Sequence, residues 1–296
     1  MTDITKVLEA DNYLGETPMW NPADRALWWV NCEQPAELLR WVPETGERHS
    51  WPMPRRLGGF VHKADGGVLV ALADGLYDLD TDSGDLTLRV ASPLPPHVML
   101  HECHCDRQGR FWIGAMDHDY PADRGAKGAR FFRLDGDVLT PVIDDIAVAN
   151  GLAFSPDGRT MYAASTSWRR VMAYDLNPAT GDISNGRDFI ALDADGKVEG
   201  GHVDGATVDA DGGYWLAIVG VGELRRYRPD GTLDRIVRMP CSNPTKPAFG
   251  GPGMETLYVT STRLAINPDA PGNAQNGAIF ALTPGERGIG ETPLAE

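Results

Sequence analysis

The sequence predicts an all-β fold, a six-bladed β-propeller with four-stranded antiparallel blades. Three observations carry this: a double-hairpin unit recurs six times, the units are blade-sized, and the amphipathic helices of a doubly wound α/β fold are missing. The first half of each unit is a tight polar turn running into a short β-rich segment. These begin at Asp24, Asp65, Arg107, Asp157, Asp211 and Pro252, as in Asp65-Gly-Gly-Val-Leu-Val-Ala71 and Asp211-Gly-Gly-Tyr-Trp-Leu-Ala217. The second half alternates apolar and polar residues and closes on a glycine turn: Leu39 to Gly46, Leu76 to Gly84, Arg130 to Gly136, Val171 to Gly181, Leu224 to Gly231 and Ala278 to Gly285. Two hairpins make about four strands, and 296 residues divided by six leave about 49 for each unit, the size of a propeller blade. A β-sandwich or a pair of β-domains predicts no sixfold copy of one unit, so residues 1–296 are expected to form a single domain.

Composition supports a packed globular chain and excludes some partners. Hydrophobic residues are 42% and charged residues 23%, and the 34 Gly and 22 Pro are spread along the chain as turn residues. A formal net charge of -15 repels a phosphate backbone or an anionic bilayer surface, so neither nucleic acid nor membrane is expected as a partner, and no obligate protein partner is implied. The amino-terminal residues have no basic segment leading into an apolar stretch, and a cytoplasmic location is expected. The four cysteines read as free thiols in a reducing compartment. Trp28, Trp112 and Trp215 recur at one place in the repeat, with Tyr162 and Tyr258 as counterparts, and are expected between blades; Trp168, outside that pattern, is a candidate for the channel rim or for exposed packing.

The innermost strand of each blade lines the central channel. Stepping back about seven residues from each tight turn reaches the start of that strand, at Glu16/Thr17, Gly58, His101, Asn150, Asp204 and Thr245. Glu16, Asn150 and Asp204 carry oxygens suited to Ca²⁺, Mg²⁺ or Mn²⁺, and the imidazole of His101 widens the choice to Zn²⁺ or Fe²⁺. Spacing alone leaves two readings open, a cation site or polar groups bonded to channel water. Strand alternation puts the tight turns on one face and the long connections, Asp117 to Gly128, Asp193 to Val203 and Leu264 to Gly277, on the other, where recognition is expected. His101-Glu-Cys-His-Cys105 lacks the His-Glu-x-x-His spacing of a helical zinc site; alternation sets His101, Cys103 and Cys105 on one strand face and Glu102 and His104 on the other. No Gly-x-Ser-x-Gly elbow or distinct triad appears.

Four segments then carry a family resemblance: Leu14-Gly-Glu-Thr-Pro-Met-Trp20, Ala149-Asn-Gly-Leu-Ala-Phe-Ser-Pro-Asp-Gly158, Val203-Asp-Gly-Ala-Thr-Val-Asp-Ala-Asp-Gly-Gly-Tyr-Trp215, and Lys246-Pro-Ala-Phe-Gly-Gly251 followed by Leu257-Tyr-Val-Thr260. In this order, over nearly the whole chain, they resemble the regucalcin/gluconolactonase family of six-bladed sugar lactonases. Carried over position by position, the resemblance implies that Glu16, Asn150 and Asp204 bind one divalent cation, that a small-molecule sugar lactone is hydrolysed to the aldonic acid, and that Asp204 is the catalytic base. The third blade departs from the family. Met99-Leu-His-Glu-Cys103 stands where members usually read Arg-x-Asn-Asp-Gly, so Met99 and His101 replace the arginine and asparagine that commonly contact substrate. His101 is then a fourth ligand, a substrate donor, a proton carrier or a packed neutral imidazole. Met99, His101 and Glu102, with Asp117, His118 and Tyr120 and the neighbouring Asp119 and Arg124 on the mouth-side loop, are the candidate substrate contacts. Ser165-Thr166 departs from the Asp-Ser of many members. Two other functions stay open: hydrolysis of another ester or a phosphotriester, and non-catalytic binding.

Overall fold

The computed structural model describes residues 3–120, 128–192 and 201–295; Arg124 and most of the connection from Asp193 to Val203 lie outside them. Six four-stranded antiparallel sheets are present, and in each the strand order follows the chain except at the closure. Blade 1 comprises Gly15–Asn21, Ala26–Asn31, Glu37–Trp41 and Arg48–Pro52. The inner strands of blades 2 to 6 are Leu57–His62, Val98–Cys105, Ala149–Phe154, His202–Val208 and Pro244–Gly250. Among the described residues the only helical turns are two short 3-10 segments, Pro252–Met254 and Asn273–Gln275, and no helix is long and apolar enough to cross a membrane.

The ring closes in a way the repeat does not announce. Blade 6 takes three strands from the last repeat, Pro244–Gly250, Thr256–Ser261 and Ile279–Leu282, and its outer strand from the start of the chain, Ile4–Leu8. This pairing joins the two ends of the chain, and no local turn signal accompanies it. Beyond Leu282 the chain runs along the face of the tight turns. It accepts or donates backbone hydrogen bonds at Met254, Ala210, Gly109 and His62, that is, on blades 6, 5, 3 and 2.

The recurring aromatics lie where the repeat puts them, with Trp112 and Trp215 fully buried and Trp28, Tyr162 and Tyr258 nearly so. A polar clamp accompanies the tryptophans. The indole N–H donates to the turn aspartate at 3.1 Å (Trp28 to Asp24), 3.0 Å (Trp112 to Asp106) and 2.9 Å (Trp215 to Asp209). An arginine Nε donates to the same carboxylate at 2.7 to 2.8 Å, from Arg40, Arg110 and Arg226. Each clamp satisfies a buried indole and ties the tight turn to its own blade. All four cysteines are free and buried.

Every inner strand breaks register at the same level: between Glu16 and Met19, Leu57 and Gly59, Leu100 and Cys103, Asn150 and Ala153, Val203 and Ala206, and Pro244 and Pro247. A bulge inserts a residue and bends its strand, re-aiming side chains that strict alternation would send elsewhere. The six bulges lie near the start of the inner strands, and Glu16, His101, Glu102, Asn150 and Asp204 sit at them.

Candidate functional site in the central channel

Glu16, Asn150 and Asp204 come from the inner strands of blades 1, 4 and 5 and are all buried, at 4%, 5% and 8% exposure. Glu16 precedes Thr17, whose φ of 47° is unusual for a β-branched residue and marks the bulge; the Thr17 N–H donates to Glu16 Oε2 at 3.2 Å. The carboxyl groups of Glu16 and Asp204 are close enough to act on each other. Burial first, opposed by Lys246 and reinforced by Glu102, pushes the Glu16 carboxyl up to about 7. Burial, then the charges of Glu16 and Glu102, holds Asp204 well above the usual carboxylate range. Two adjacent buried carboxyl groups resist double ionisation unless positive charge is placed between them.

The Asn150 amide has two orientations. Turned one way, Nδ2 donates to Asp204 Oδ1 at 3.0 Å and Oδ1 accepts from Thr166; turned the other, Nδ2 donates to Thr166 Oγ1 at 2.8 Å and the amide oxygen faces Asp204. Protein hydrogen bonds alone favour the first. The second assembles oxygens from Glu16, Asn150 and Asp204, the hard-donor set that a divalent cation takes. The Thr166 hydroxyl, which in this arrangement donates to the Val203 carbonyl at 3.5 Å, then orients the amide. The residues present therefore fit a bound divalent cation. They also give the Ser165-Thr166 sequence a physical role. Ser165 Oγ accepts the Ala147 and Val148 N–H groups at 3.2 and 3.4 Å, which fixes the entry to blade 4, and Thr166 supports the Asn150 amide.

His101 and Glu102 diverge at the bulge. Arg56 Nη2 donates to His101 Nδ1 at 3.3 Å, so Nδ1 is an acceptor and Nε2 carries the proton. Burial first, then Arg56 and Lys246, pushes the imidazole well below its ordinary pKa, so the ring is neutral. In this arrangement neither nitrogen offers a lone pair to a cation, and His101 presents an N–H donor. Glu102 points across the channel. Its Oε1 accepts from Lys246 Nζ at 2.7 Å and its Oε2 from the Leu152 N–H at 2.9 Å. Cys103 Sγ instead turns toward blade 2, where it approaches the Phe60 carbonyl at 3.5 Å.

The remaining sequence candidates lie at the rim. Met99 is half-buried opposite Met116, and His118 is exposed. Asp117 is buried and accepts the Asp119 and Gly128 N–H groups at 3.1 and 2.9 Å, so it organises its own loop; Tyr120 is also buried. Ligand atoms of His97, Asp117 and Asp119 lie within 4.8 Å of one another. Trp168 is half-buried in the connection after Ser165, with the Arg170 guanidinium 5.9 Å from its ring centre. Sequence reasoning assigned no role to Arg56, Thr166 or Lys246. Lys246 did carry a signal, as a lysine inside an otherwise neutral inner strand, Pro244–Gly250.

A ring of six blades around a channel whose one end holds two carboxylates and an amide defines a class, and comparison with known proteins gives the family. Residues 14–263 match the SMP-30/gluconolactonase/LRE-like region, and the chain belongs to that family. It is 35% identical to an L-arabinolactonase of Azospirillum brasilense, over 98% of this chain and 95% of that protein. It is 34% identical to a 6-deoxy-6-sulfogluconolactonase of Pseudomonas putida, over 87% and 86% of the two chains. Among solved structures, a calcium-binding protein, regucalcin, from Agrobacterium tumefaciens superposes with a TM-score of 0.87 at 30% identity, covering 96% of this chain and 94% of that one.

Proposed function

We propose that the protein is a divalent-cation-dependent lactonase that hydrolyses a sugar lactone to the corresponding aldonic acid. The observation that carries this reading is the convergence of the Glu16 and Asp204 carboxyl groups with the Asn150 amide, all buried on the bulged inner strands. Similarity to an L-arabinolactonase and a 6-deoxy-6-sulfogluconolactonase supports the substrate class, and similarity to a calcium-binding regucalcin supports a cation. Glu16, Asn150 and Asp204 are the residues that would hold it. When bound, such a cation supplies positive charge to the developing oxyanion and acidifies water.

The chain's own groups do the rest. Asp204 takes the proton of the attacking water at a carboxylate oxygen as the new carbon–oxygen bond forms, and the proton passes to the ring oxygen as the ester bond breaks. Glu16 serves chiefly as a ligand, and Thr166 keeps the Asn150 oxygen directed inward. The Nε2–H of His101 donates to a substrate hydroxyl near the mouth, with Met99, His118 and Tyr120 shaping the rim. Four buried free thiols accord with a reducing, cytoplasmic setting.

The test is acid release from a panel of aldonolactones, followed with a pH indicator, using chelator-treated protein and adding Ca²⁺, Mg²⁺, Mn²⁺, Zn²⁺ and Fe²⁺ in turn. Cation-dependent hydrolysis is expected, and Asp204→Ala is expected to lose it even with cation in excess. No cation-dependent acid release from any lactone, or near wild-type turnover by Asp204→Ala, overturns the reading. Cleavage of a phosphotriester but of no lactone would point to the alternative ester chemistry.

A further inference from the structure

We infer that the buried Lys246–Glu102 pair sets the net charge of the cation site and thereby its preference for a divalent ion. This rests on the reading of Glu16, Asn150 and Asp204 as ligands. The pair spans the channel from blade 6 to blade 3 at 2.7 Å, with the two side chains 4% and 2% exposed. Glu102 is held at its other oxygen by the Leu152 N–H, beside Asn150 in blade 4. The stem of Lys246 runs against Gly205, the residue after Asp204: a Cβ there would meet Lys246 Cβ, Cγ and Cδ at 2.6 to 2.8 Å. Both charges act on the ligand carboxylates, since Lys246 and Glu102 bear on Glu16, and Glu102 also bears on Asp204.

Stability alone gives little reason for such a pair. Taking two charges out of water is costly, and a well-packed apolar pair of the same volume is often at least as stable. Electrostatics gives a reason. Glu16, Asp204 and Glu102 bring three negative charges and Lys246 one positive charge, so two remain, which a divalent cation cancels. Among the described residues, Arg56 has Glu33 as its counter-ion at 3.9 Å, Glu291, on which Lys246 also bears, has His104 at 2.9 Å, and His101 is neutral. In a low-dielectric channel this balance matters, because the number of ligand charges tunes both affinity and valence selectivity.

The assignment makes the two partners unequal in a measurable way. Glu102→Gln leaves the ammonium facing the site and is expected to weaken Ca²⁺ and Mn²⁺ binding about thirtyfold or more. Lys246→Met is expected to bind them no more weakly than wild type, and to shift the Tb³⁺/Ca²⁺ affinity ratio about tenfold toward Tb³⁺. The double variant restores two negative charges and is expected within about threefold of wild type. Isothermal titration calorimetry on chelator-treated full-length protein, with thermal melts to confirm folding, reads all of these. A Glu102→Gln variant that binds like wild type, a double variant as weak as Glu102→Gln, a weakened Lys246→Met, or an unchanged Tb³⁺/Ca²⁺ ratio in Lys246→Met each overturns the inference. If Glu102→Gln fails to fold, the Tb³⁺/Ca²⁺ ratio of Lys246→Met decides it. Wild-type protein that takes up no divalent cation overturns the lactonase reading itself, whereas a binding wild type whose variants break the pattern overturns only the charge assignment.

Discussion

At the scale of single residues, a support one hydrogen bond removed from a proposed ligand is testable apart from that ligand. Thr166 touches the Asn150 amide at 2.8 Å and reaches the Val203 carbonyl, so its hydroxyl decides which end of the amide faces Asp204. Thr166→Val keeps the shape and removes the hydroxyl. Loss of such a support typically costs ten- to a hundredfold in metal affinity, and a loss of about tenfold is expected here by titration calorimetry, with the melting temperature nearly unchanged. Equal affinity in the variant would show that the amide is oriented by other groups. The convergence of Glu16, Asn150 and Asp204 is readable in the sequence, because position in the repeat and resemblance to a family select the same three residues. Thr166 was visible only as a departure from that family, since its role depends on a contact between a loop and the neighbouring inner strand. Arg56 and the Lys246–Glu102 pair were not legible at all as partners. Their contacts cross from blade to blade over long sequence separations that no local pattern records.

At the scale of elements, the bulges of the inner strands explain both the success and the limit of reading strands by alternation. Period-2 patterns locate the strands but cannot locate an inserted residue, and the insertion is what turns Glu102 across the channel toward Lys246. Gly58 shows how closely the bulged strands approach. A Cβ at this position would meet the Leu100 carbonyl and would lie 2.7 and 2.8 Å from His101 Cα and O, all backbone atoms of the next inner strand. Backbone cannot swing aside as a flexible side chain does, so Gly58→Ala must push blades 2 and 3 apart. Overpacking of this kind costs about 1 to 3 kcal/mol, and a fall of several degrees in melting temperature is expected, together with weaker lactone binding because His101 moves with its strand. An unchanged melting temperature would mean that the inner strands separate more easily than their packing indicates.

At the scale of the whole molecule, the six units and their order were readable, but closure was not: the outer strand of blade 6 and the tail across the turns join distant parts of the chain. The tail is held by more than backbone. Glu291 Oε2 lies 2.9 Å from His104 Nε2, and the other ring nitrogen of His104 lies 2.7 Å from the Cys105 carbonyl. Burial alone would push the Glu291 carboxyl up, but His104, with Arg107 and Lys246, outweighs it and holds the group at about 2, against an ordinary value of 4.5. A carboxyl depressed in the folded state binds fewer protons there than in the unfolded chain between pH 4.5 and 2. Its contribution is therefore complete above pH 4.5 and is lost as pH falls through that window. At 1.36 kcal/mol per unit the shift corresponds to about 3 kcal/mol. Urea unfolding of the wild type is expected to show this loss between pH 4.5 and 2. Glu291→Gln should start less stable at pH 6 and lack that part of the slope. If the two proteins lose stability in parallel through the window, the tail is held by its backbone contacts, and acid sensitivity arises elsewhere in the ring.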